Sequence, residues 1–310
     1  MSAKESLTLS ECAAVASGRI SKKRPRVTAT TRKWYAGSMR RLIEYLGDKE
    51  VTAVTVDDLS YFQDVVESKQ TLSPSTRNNY KRGIRDIFSR LSAMGYDVVS
   101  FDFDFEKETR GVKRVSDENH HRLMGVSGVR DALMVKLVYE SGVRVGGLNS
   151  MRVSTTTYWV AKTGEYQVAA KVWEKGVRHK KENIIYGTHV VGLLLCAWLD
   201  VRKNLLAALE VEDHDMLFIN TLTGSPISTE YISGIFWKMK QAARIPQDEP
   251  VNAHAGRHAF AIRRIMAGSP PNAVQKWLGH SSIKTTLDEY GRLQQDEAKK
   301  LFFDEANRPD

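Results

Sequence analysis

Six residues of this chain combine side-chain types that do chemistry with spacings that set them apart. His254 and Arg257 stand three residues apart, His280 follows Leu278-Gly279, and Tyr290 lies ten residues beyond His280. Arg144 closes Ser141-Gly142-Val143-Arg144, and Lys175 sits in the turn-like Glu174-Lys175-Gly176. Guanidinium groups clamp anionic oxygens bidentately and keep their charge at any working pH. A tyrosine brings a nucleophilic oxygen, but its ordinary pKa of about 10 means that it needs help losing its proton. An imidazole positions a reacting group or moves its proton. Together these types suit transfer at an anionic centre, with the arginines as electrostatic stabilisers. Each residue also has an ordinary use: tyrosines pack, lone histidines are structural, and hairpin lysines are solvated. Lys171, Lys180 and Lys181 compete with Lys175 on that last count. His254, His258 and His280 raise the question of a metal, but no cysteine or carboxylate spacing completes a site. The reading is no metal.

These residues need elements to hold them. From Thr28 to about Met94 the pattern is helical, with Trp34, Met39, Leu42, Ile43, Tyr45 and Leu46 at helix spacing. Thr55-Val56-Asp57-Asp58 starts a second helix, and Ser73-Pro74-Ser75 caps a third. In the third helix Tyr80, Ile84, Ile87, Phe88 and Leu91 share one face, while Arg77, Lys81, Arg82 and Arg85 lie mostly on the other. That basic face suits a DNA backbone, or is simply solvated. Residues 95–115 change character, alternating Phe with acids, and read as a linker. Ser116 caps the next helix, with Asp117 and Glu118 in its first turn. The apolar run Ala132 to Tyr139 ends at Gly142. Three short strands follow, over 157–160, 166–173 and 183–186. Beyond Thr188 the pattern is helical again, including a basic amphipathic helix that carries Lys238 and Lys240.

The chain has 310 residues, 42% apolar and 27% charged, with a net charge of +9, and it has no internal repeat. Two cysteines exclude a disulfide framework and point to a reducing compartment. No apolar run approaches the roughly 18 residues of a membrane span, and the N-terminus does not read as a signal peptide. The expected location is cytoplasmic, associated with DNA. Residues 1–114 carry 21 Lys+Arg against 15 Asp+Glu, so the positive charge is denser there. A polyanion partner follows, nucleic acid foremost, with an ordinary basic surface as the alternative. Residues 1–27 read as a weakly structured basic tail, whose Lys22-Lys23-Arg24 either contacts phosphates or is a solvated linker.

Taken in order, the boxes resemble those of the tyrosine recombinases, the family of phage-type integrases, Xer-type recombinases and transposon integrases. The family's H-x-x-R box appears as His254 to Arg257, its L-G-H box as Leu278 to His280, and its terminal nucleophile box as Thr285 to Leu293 around Tyr290. The first arginine motif, T-G-x-R-x-x-E-L, appears as Ser141 to Leu148, and the family's hairpin lysine maps to Lys175. The resemblance covers nearly the whole chain. It implies a mainly α fold with a small antiparallel β-sheet: a basic tail over 1–27, a helical core-binding, SAM-like domain over 28–100, a linker over 101–115, a mixed α/β catalytic domain over 116–293 and a tail helix over 294–310. The two domains would form a C-shaped clamp on duplex DNA.

The resemblance also implies roles. Arg144 and Arg257 stabilise charge on the non-bridging oxygens, His254 is the acid/base group or positioner, and His280 donates a hydrogen bond to the phosphate. Lys175 protonates the departing 5′ oxygen, and Tyr290 is the nucleophile. The product is a 3′-phosphotyrosyl link that a second 5′ hydroxyl resolves, with no ATP, metal or other cofactor. Four protomers would exchange strands through a Holliday junction, the C-terminal tail docking in trans, with accessory DNA-bending or directionality proteins as further partners. The element served would be a mobile one. Two departures stand out. Gly147 replaces the family's acid three residues after the first arginine, and Tyr290 follows His280 by ten residues where many relatives have nine. The rival readings are a catalytically silent DNA-binding regulator on the same fold, and an enzyme like a telomere resolvase or type IB topoisomerase.

Overall fold

The strongest local signals in the chain are helix caps, and they set its elements. The structure, a computed structural model, describes residues 6–21, 25–107, 114–175 and 180–280, excepting the side chains of Lys175 and Lys180. The chain divides into two compact units, Met1–Thr109 and Arg110–Asp310.

The first unit is helical: α1 (Leu9–Ala16), α2 (Ala29–Leu46), α3 (Val56–Ser68) and α4 (Pro74–Ala93), with a short 3₁₀ turn at Val51–Ala53. Thr55 and Asp58 cap α3 reciprocally, the Asp58 N–H donating to Thr55 Oγ1 at 3.1 Å and the Thr55 N–H to Asp58 Oδ2 at 2.7 Å. Ser73 caps α4 ahead of Pro74. The apolar stripes meet in a core of Tyr35, Met39, Leu42, Leu59, Phe62, Ile84, Ile87 and Leu91. Each such fully buried side chain contributes about 1.5–3 kcal/mol. Gly83 lets α4 approach α2 closely, since a Cβ there would fall 2.0 Å from Ser38 Oγ.

Two expectations for this unit need correction. Residues 1–27 are not a featureless tail, because α1 lies within them and buries Leu9, Cys12 and Ala16. The cause is a four-residue apolar spacing together with the Glu11 carboxylate, which accepts the Thr8 N–H at 3.0 Å. The described part of the 101–115 stretch is not a bare linker either. Phe103 is buried against Phe62, edge to face at 6.4 Å, and Phe101 and Phe105 pack on the same core.

The second unit opens with α5 (Asp117–Val126), α6 (Val129–Ser141) and α7 (Val145–Ser150). Then come β1 (Thr156–Val160), β2 (Tyr166–Lys175) and β3 (Lys180–Gly187), followed by α8 (His189–Ala208), α9 (Thr229–Ala242), α10 (Ala253–Met266) and α11 (Pro271–Leu278). The strands form one antiparallel sheet in the order β1-β2-β3, with Thr157 opposite Ala169 and Val172 opposite Asn183. The fold class is therefore mainly α with a small antiparallel sheet, as the sequence predicts. The stretch between α8 and α9 departs from the helical expectation: isolated bridges join Arg152 to Met216 and Ile219 to Pro226. Gly224, at φ +69°, turns the chain there.

One face of β2 is buried in strict alternation: Val168, Ala170, Val172 and then Glu174. The first three pack with Leu133, Leu137 and Val138 of α6 and with Val191, Leu195 and Trp198 of α8. Gly256 brings α10 against α6, since a Cβ at 256 would lie 2.6 Å from Val138 Cγ1. Among the described residues no helix is long and apolar enough to cross a membrane.

Candidate active site

Three helix termini build the site. Helix α6 stops at Gly142, whose φ of +66° is left-handed. A Cβ at 142 would fall 2.6 Å from Phe260 Cδ1 and 2.7 Å from Leu278 Cδ2, so both the conformation and the packing require glycine. The reversal places Arg144 as the N-cap of α7. Helix α11 stops at Gly279, φ +64°, in a Schellman arrangement: the Gly279 N–H donates to Lys276 O and the His280 N–H to Gln275 O, each at 3.0 Å. The Leu-Gly-His box is therefore first a helix terminus, and that terminus fixes the backbone of His280. Helix α10 is capped by Asn252, whose side chain accepts the Ala255 N–H at 2.8 Å. His254 and Arg257 occupy its first turns.

Arg257 is only 3% exposed, and its guanidinium joins these termini. Nη1 donates to Gly142 O at 2.6 Å and Nη2 to Leu278 O at 2.7 Å. Arg144 reaches the same Leu278 carbonyl with Nη1 at 3.5 Å. A carbonyl at the C-terminus of a helix is a favourable acceptor for cations. The two arginines also meet at one carboxylate. Glu174 Oε1 accepts the Arg144 backbone N–H at 3.1 Å and lies 3.9 Å from Arg257 Nη1, while Oε2 pairs with Arg144 Nη1. The Arg144 side chain remains 35% exposed, beside a buried cluster.

His254 is exposed at the start of α10, and its Nε2 lies 2.9 Å from Nε2 of His258, one of the two carrying the shared hydrogen. The His280 side chain is buried. Arg144, Arg257 and the His280 segment are thus brought together, with His254 one turn before Arg257. Lys175 ends β2 in register with Lys180, and its side chain is outside the described residues, as are Tyr290, Lys22, Lys23 and Arg24. The 294–310 tail also lies outside them. Glu174 and His258 are the members that sequence reasoning missed as partners of the boxes. The signal for Glu174 was present: strand alternation puts it on the face of Val168, Ala170 and Val172, where an acid needs a cation.

The expected DNA contacts divide. Lys81 is fully buried, and its Nζ is held by Glu67 Oε1 at 2.5 Å and by the Asp104 carbonyl. Lys240 is buried too, donating to Gln247 O at 2.8 Å and Glu249 O at 2.6 Å. Both are corrections, because these amines tie loops down and do not face a phosphate. Arg77 forms a two-pronged pair with Glu106 and donates to Leu72 O at 2.8 Å, so its guanidinium is also engaged within the chain. That pair pulls the Glu106 carboxyl below its ordinary range. Arg82 lies over the Phe105 ring at 5.4 Å. Lys238 is exposed on α9.

Comparison with known proteins follows the same lines. Residues 113–297 match the phage integrase family. A probable integrase/recombinase protein of Methanocaldococcus jannaschii is 22% identical over 264 residues, covering 79% of this chain and 74% of that protein. Transposase A from transposon Tn554 of Staphylococcus aureus is 26% identical over 63% of this chain, which spans only half of that protein. The tyrosine recombinase XerD of Staphylococcus aureus is 28% identical over 57% of this chain and 55% of its own length. Among solved structures, the Tn1549 transposon integrase in complex with transposon right end DNA superposes with a TM-score of 0.66 at 19% identity. It covers 97% of this chain and all of that one. The XerH site-specific recombinase bound to a palindromic difH substrate gives the same TM-score at 17% identity, over 86% of this chain and 77% of that one.

Proposed function

The chain belongs to the phage integrase family, and on that premise we propose that it is a site-specific DNA recombinase whose nucleophile is Tyr290. The observation that carries this reading is the convergence of Arg144 and Arg257 on Glu174 and on the Leu278 carbonyl, beside His280. Two guanidiniums fixed before substrate arrives stabilise the charge that a phosphoryl transition state gathers, without reorganising.

The step is balanced as follows. The Tyr290 hydroxyl gives its proton to His254, and its oxygen attacks the phosphorus of a DNA phosphodiester. The bond from phosphorus to the 5′ oxygen breaks, and that oxygen takes a proton from Lys175. A 3′-phosphotyrosyl link remains. A 5′ hydroxyl from a second strand then gives its proton to Lys175 and attacks the same phosphorus, and the leaving tyrosine oxygen takes its proton back from His254. His254, coupled to His258 through their facing Nε2 atoms, is placed to hold or move a proton at the edge of the arginine cluster. His280 holds the phosphate. The proposal extends to a tetramer on two specific sites of a mobile element, exchanging strands through a Holliday junction with the C-terminal tail docked in trans.

A denaturing gel tests it. DNA from the ends of the encoding element, nicked near the cleavage site, traps a covalent adduct with the wild type and none with Tyr290→Phe. An adduct with both variants moves the nucleophile elsewhere. Tight DNA binding with no adduct in either makes the chain a silent regulator.

A further inference from the structure

We propose that Glu174 is a positioning residue of this site: from β2 it holds the guanidiniums of Arg144 and Arg257 as one clamp, in the place that a side chain at position 147 would otherwise fill. The proposal rests on the recombinase reading for its consequence but not for its geometry.

A carboxylate at the end of an otherwise apolar strand face is strongly destabilising unless it is paired. Glu174 is 3% exposed, and its cations are the two arginines. It contacts Arg144 twice, through the backbone N–H and through Nη1, so it fixes both the start of α7 and the side chain. Its approach to Arg257 Nη1 at 3.9 Å sets a negative charge beside two positive groups that also share the Leu278 carbonyl. Without that charge the guanidiniums repel one another, and the more exposed Arg144 is the one able to swing away.

Gly147 supplies the second, independent observation. A Cβ built at 147 would lie 3.2 Å from Glu174 Oε1, 3.4 Å from Glu174 Cγ and 2.6 Å from Val143 Cγ2. The space is taken, so the glycine on α7 and the acid on β2 are two halves of one arrangement. Glu174 also immediately precedes Lys175. Anchoring Glu174 to the arginines therefore fixes the backbone that carries the proposed general acid relative to the proposed phosphate clamp.

Glu174→Gln keeps the size and an acceptor for the Arg144 N–H but removes the charge. Four readouts are taken on the full chain: the guanidinium Nε–H NMR signals of Arg144 and Arg257, assigned with single Arg→Lys variants; the single-turnover rate of adduct formation on nicked DNA at saturating protein; DNA affinity; and the thermal midpoint. In Glu174→Gln the two signals shift and exchange faster, and the adduct rate falls about ten- to a hundredfold, the size of effect that follows displacement of a catalytic group by about an ångström. DNA affinity stays within about twofold, because the phosphate contacts along the duplex are untouched.

A merely structural role would lower the midpoint while leaving the single-turnover rate of the folded protein unchanged, and that outcome overturns the proposal. Unchanged guanidinium signals overturn it as well. A second variant, Glu174→Ala with Gly147→Glu and Val143→Ala, opens the space at 147 and returns a carboxylate from the helix. It recovers part of the lost rate, and no recovery in a folded protein counts against the shared-space argument. If the wild type forms no adduct, the recombinase reading has failed, and the guanidinium signals then decide the clamp alone.

Discussion

Replacing Gly142 by alanine tests how the end of α6 holds the arginine cluster. The cost has two parts. An L-residue at φ +66° pays about 1–2 kcal/mol for the left-handed conformation. The added methyl also enters space held by Phe260 and Leu278, at 2.6 and 2.7 Å, and such overpacking costs about 1–3 kcal/mol. The sum is about 2–5 kcal/mol. Gly164→Ala is the matched control: φ is +81°, and nothing lies within 4 Å of its Cβ, so only the conformational part of about 1–2 kcal/mol applies.

Guanidinium chloride unfolding followed by tryptophan fluorescence separates the two variants. Trp159, Trp173, Trp198, Trp237 and Trp277 all lie in the second unit, leaving only Trp34 in the first, so the signal is dominated by the unit that holds both glycines. Gly142→Ala is expected to lose about 1–3 kcal/mol more than Gly164→Ala. It should also slow adduct formation under conditions where it is folded, because the Gly142 carbonyl accepts from buried Arg257 at 2.6 Å. Equal losses in the two variants would refute the reasoning. They would mean that Phe260 and Leu278 yield freely and that their packing does not fix the turn.

Other perturbations follow from the same geometry. Burial, with Lys136, His121 and Arg263 nearby and Asp117 opposing them, pushes the His120 imidazole down to about 4, below its unfolded value of about 6.5. The unfolded chain therefore binds the extra proton first, and stability should fall as pH drops from about 6.5 towards 4. His120→Phe, which keeps the stack on Tyr139, should remove that part of the loss in unfolding midpoints measured across the window. Arg202 holds the Asp213 carboxyl well below its usual range, so its contribution is present above an unfolded pKa of about 3.9 and is lost as pH falls further. Asp213→Asn should show a smaller drop in midpoint between pH 6 and pH 3 than the wild type. Lys81→Met should lower stability by about 1–3 kcal/mol, by stranding Glu67 and the Asp104 carbonyl, with no change in the salt dependence of DNA binding. A salt slope reduced by about one would put Lys81 on a phosphate after all.

What the sequence made legible was local. The caps at Thr55, Ser73 and Ser116 and the left-handed glycine at 142 are encoded within a turn of the residues that they govern, and the elements appear where those signals stand. The β2 alternation was equally legible, and followed to its end it would have placed Glu174 inward. What escaped was contact between distant segments. Lys81 lies on the polar side of its helix, and nothing within a helical turn announces that Glu67 and the chain at Asp104 will close over it. Lys240 is covered in the same way by Gln247 and Glu249. The helix α1 was hidden by the basic run that follows it, although Thr8 and Glu11 carry a capping signature. For the two lysines a charge pattern was read as surface where the fold supplied a partner.

The boxes of the candidate site also carry a structural meaning that constrains how their proposed chemistry can be tested. Arg257 satisfies the last carbonyl of α11 and the carbonyl of the residue that ends α6. Those two termini leave backbone acceptors that α10 alone cannot reach. Removing the guanidinium therefore strands the Gly142 carbonyl in a buried place, at about 1–3 kcal/mol, and leaves the Leu278 carbonyl only the 3.5 Å contact from Arg144, before any catalytic effect is counted. Arg144 differs. It caps α7 through its backbone and is partly exposed, and the Leu278 carbonyl keeps Arg257 when Arg144 is cut back. Arg144→Lys, which keeps a cation beside buried Glu174, is thus the cleaner probe of transition-state charge, whereas Arg257→Ala mixes catalysis with folding. If Arg144→Lys lost most of the adduct with an unchanged unfolding midpoint while Arg257→Ala lost both, the two arginines would be alike in chemistry and unlike in what else depends on them. Equal midpoints in the two variants would contradict the role assigned here to the buried guanidinium.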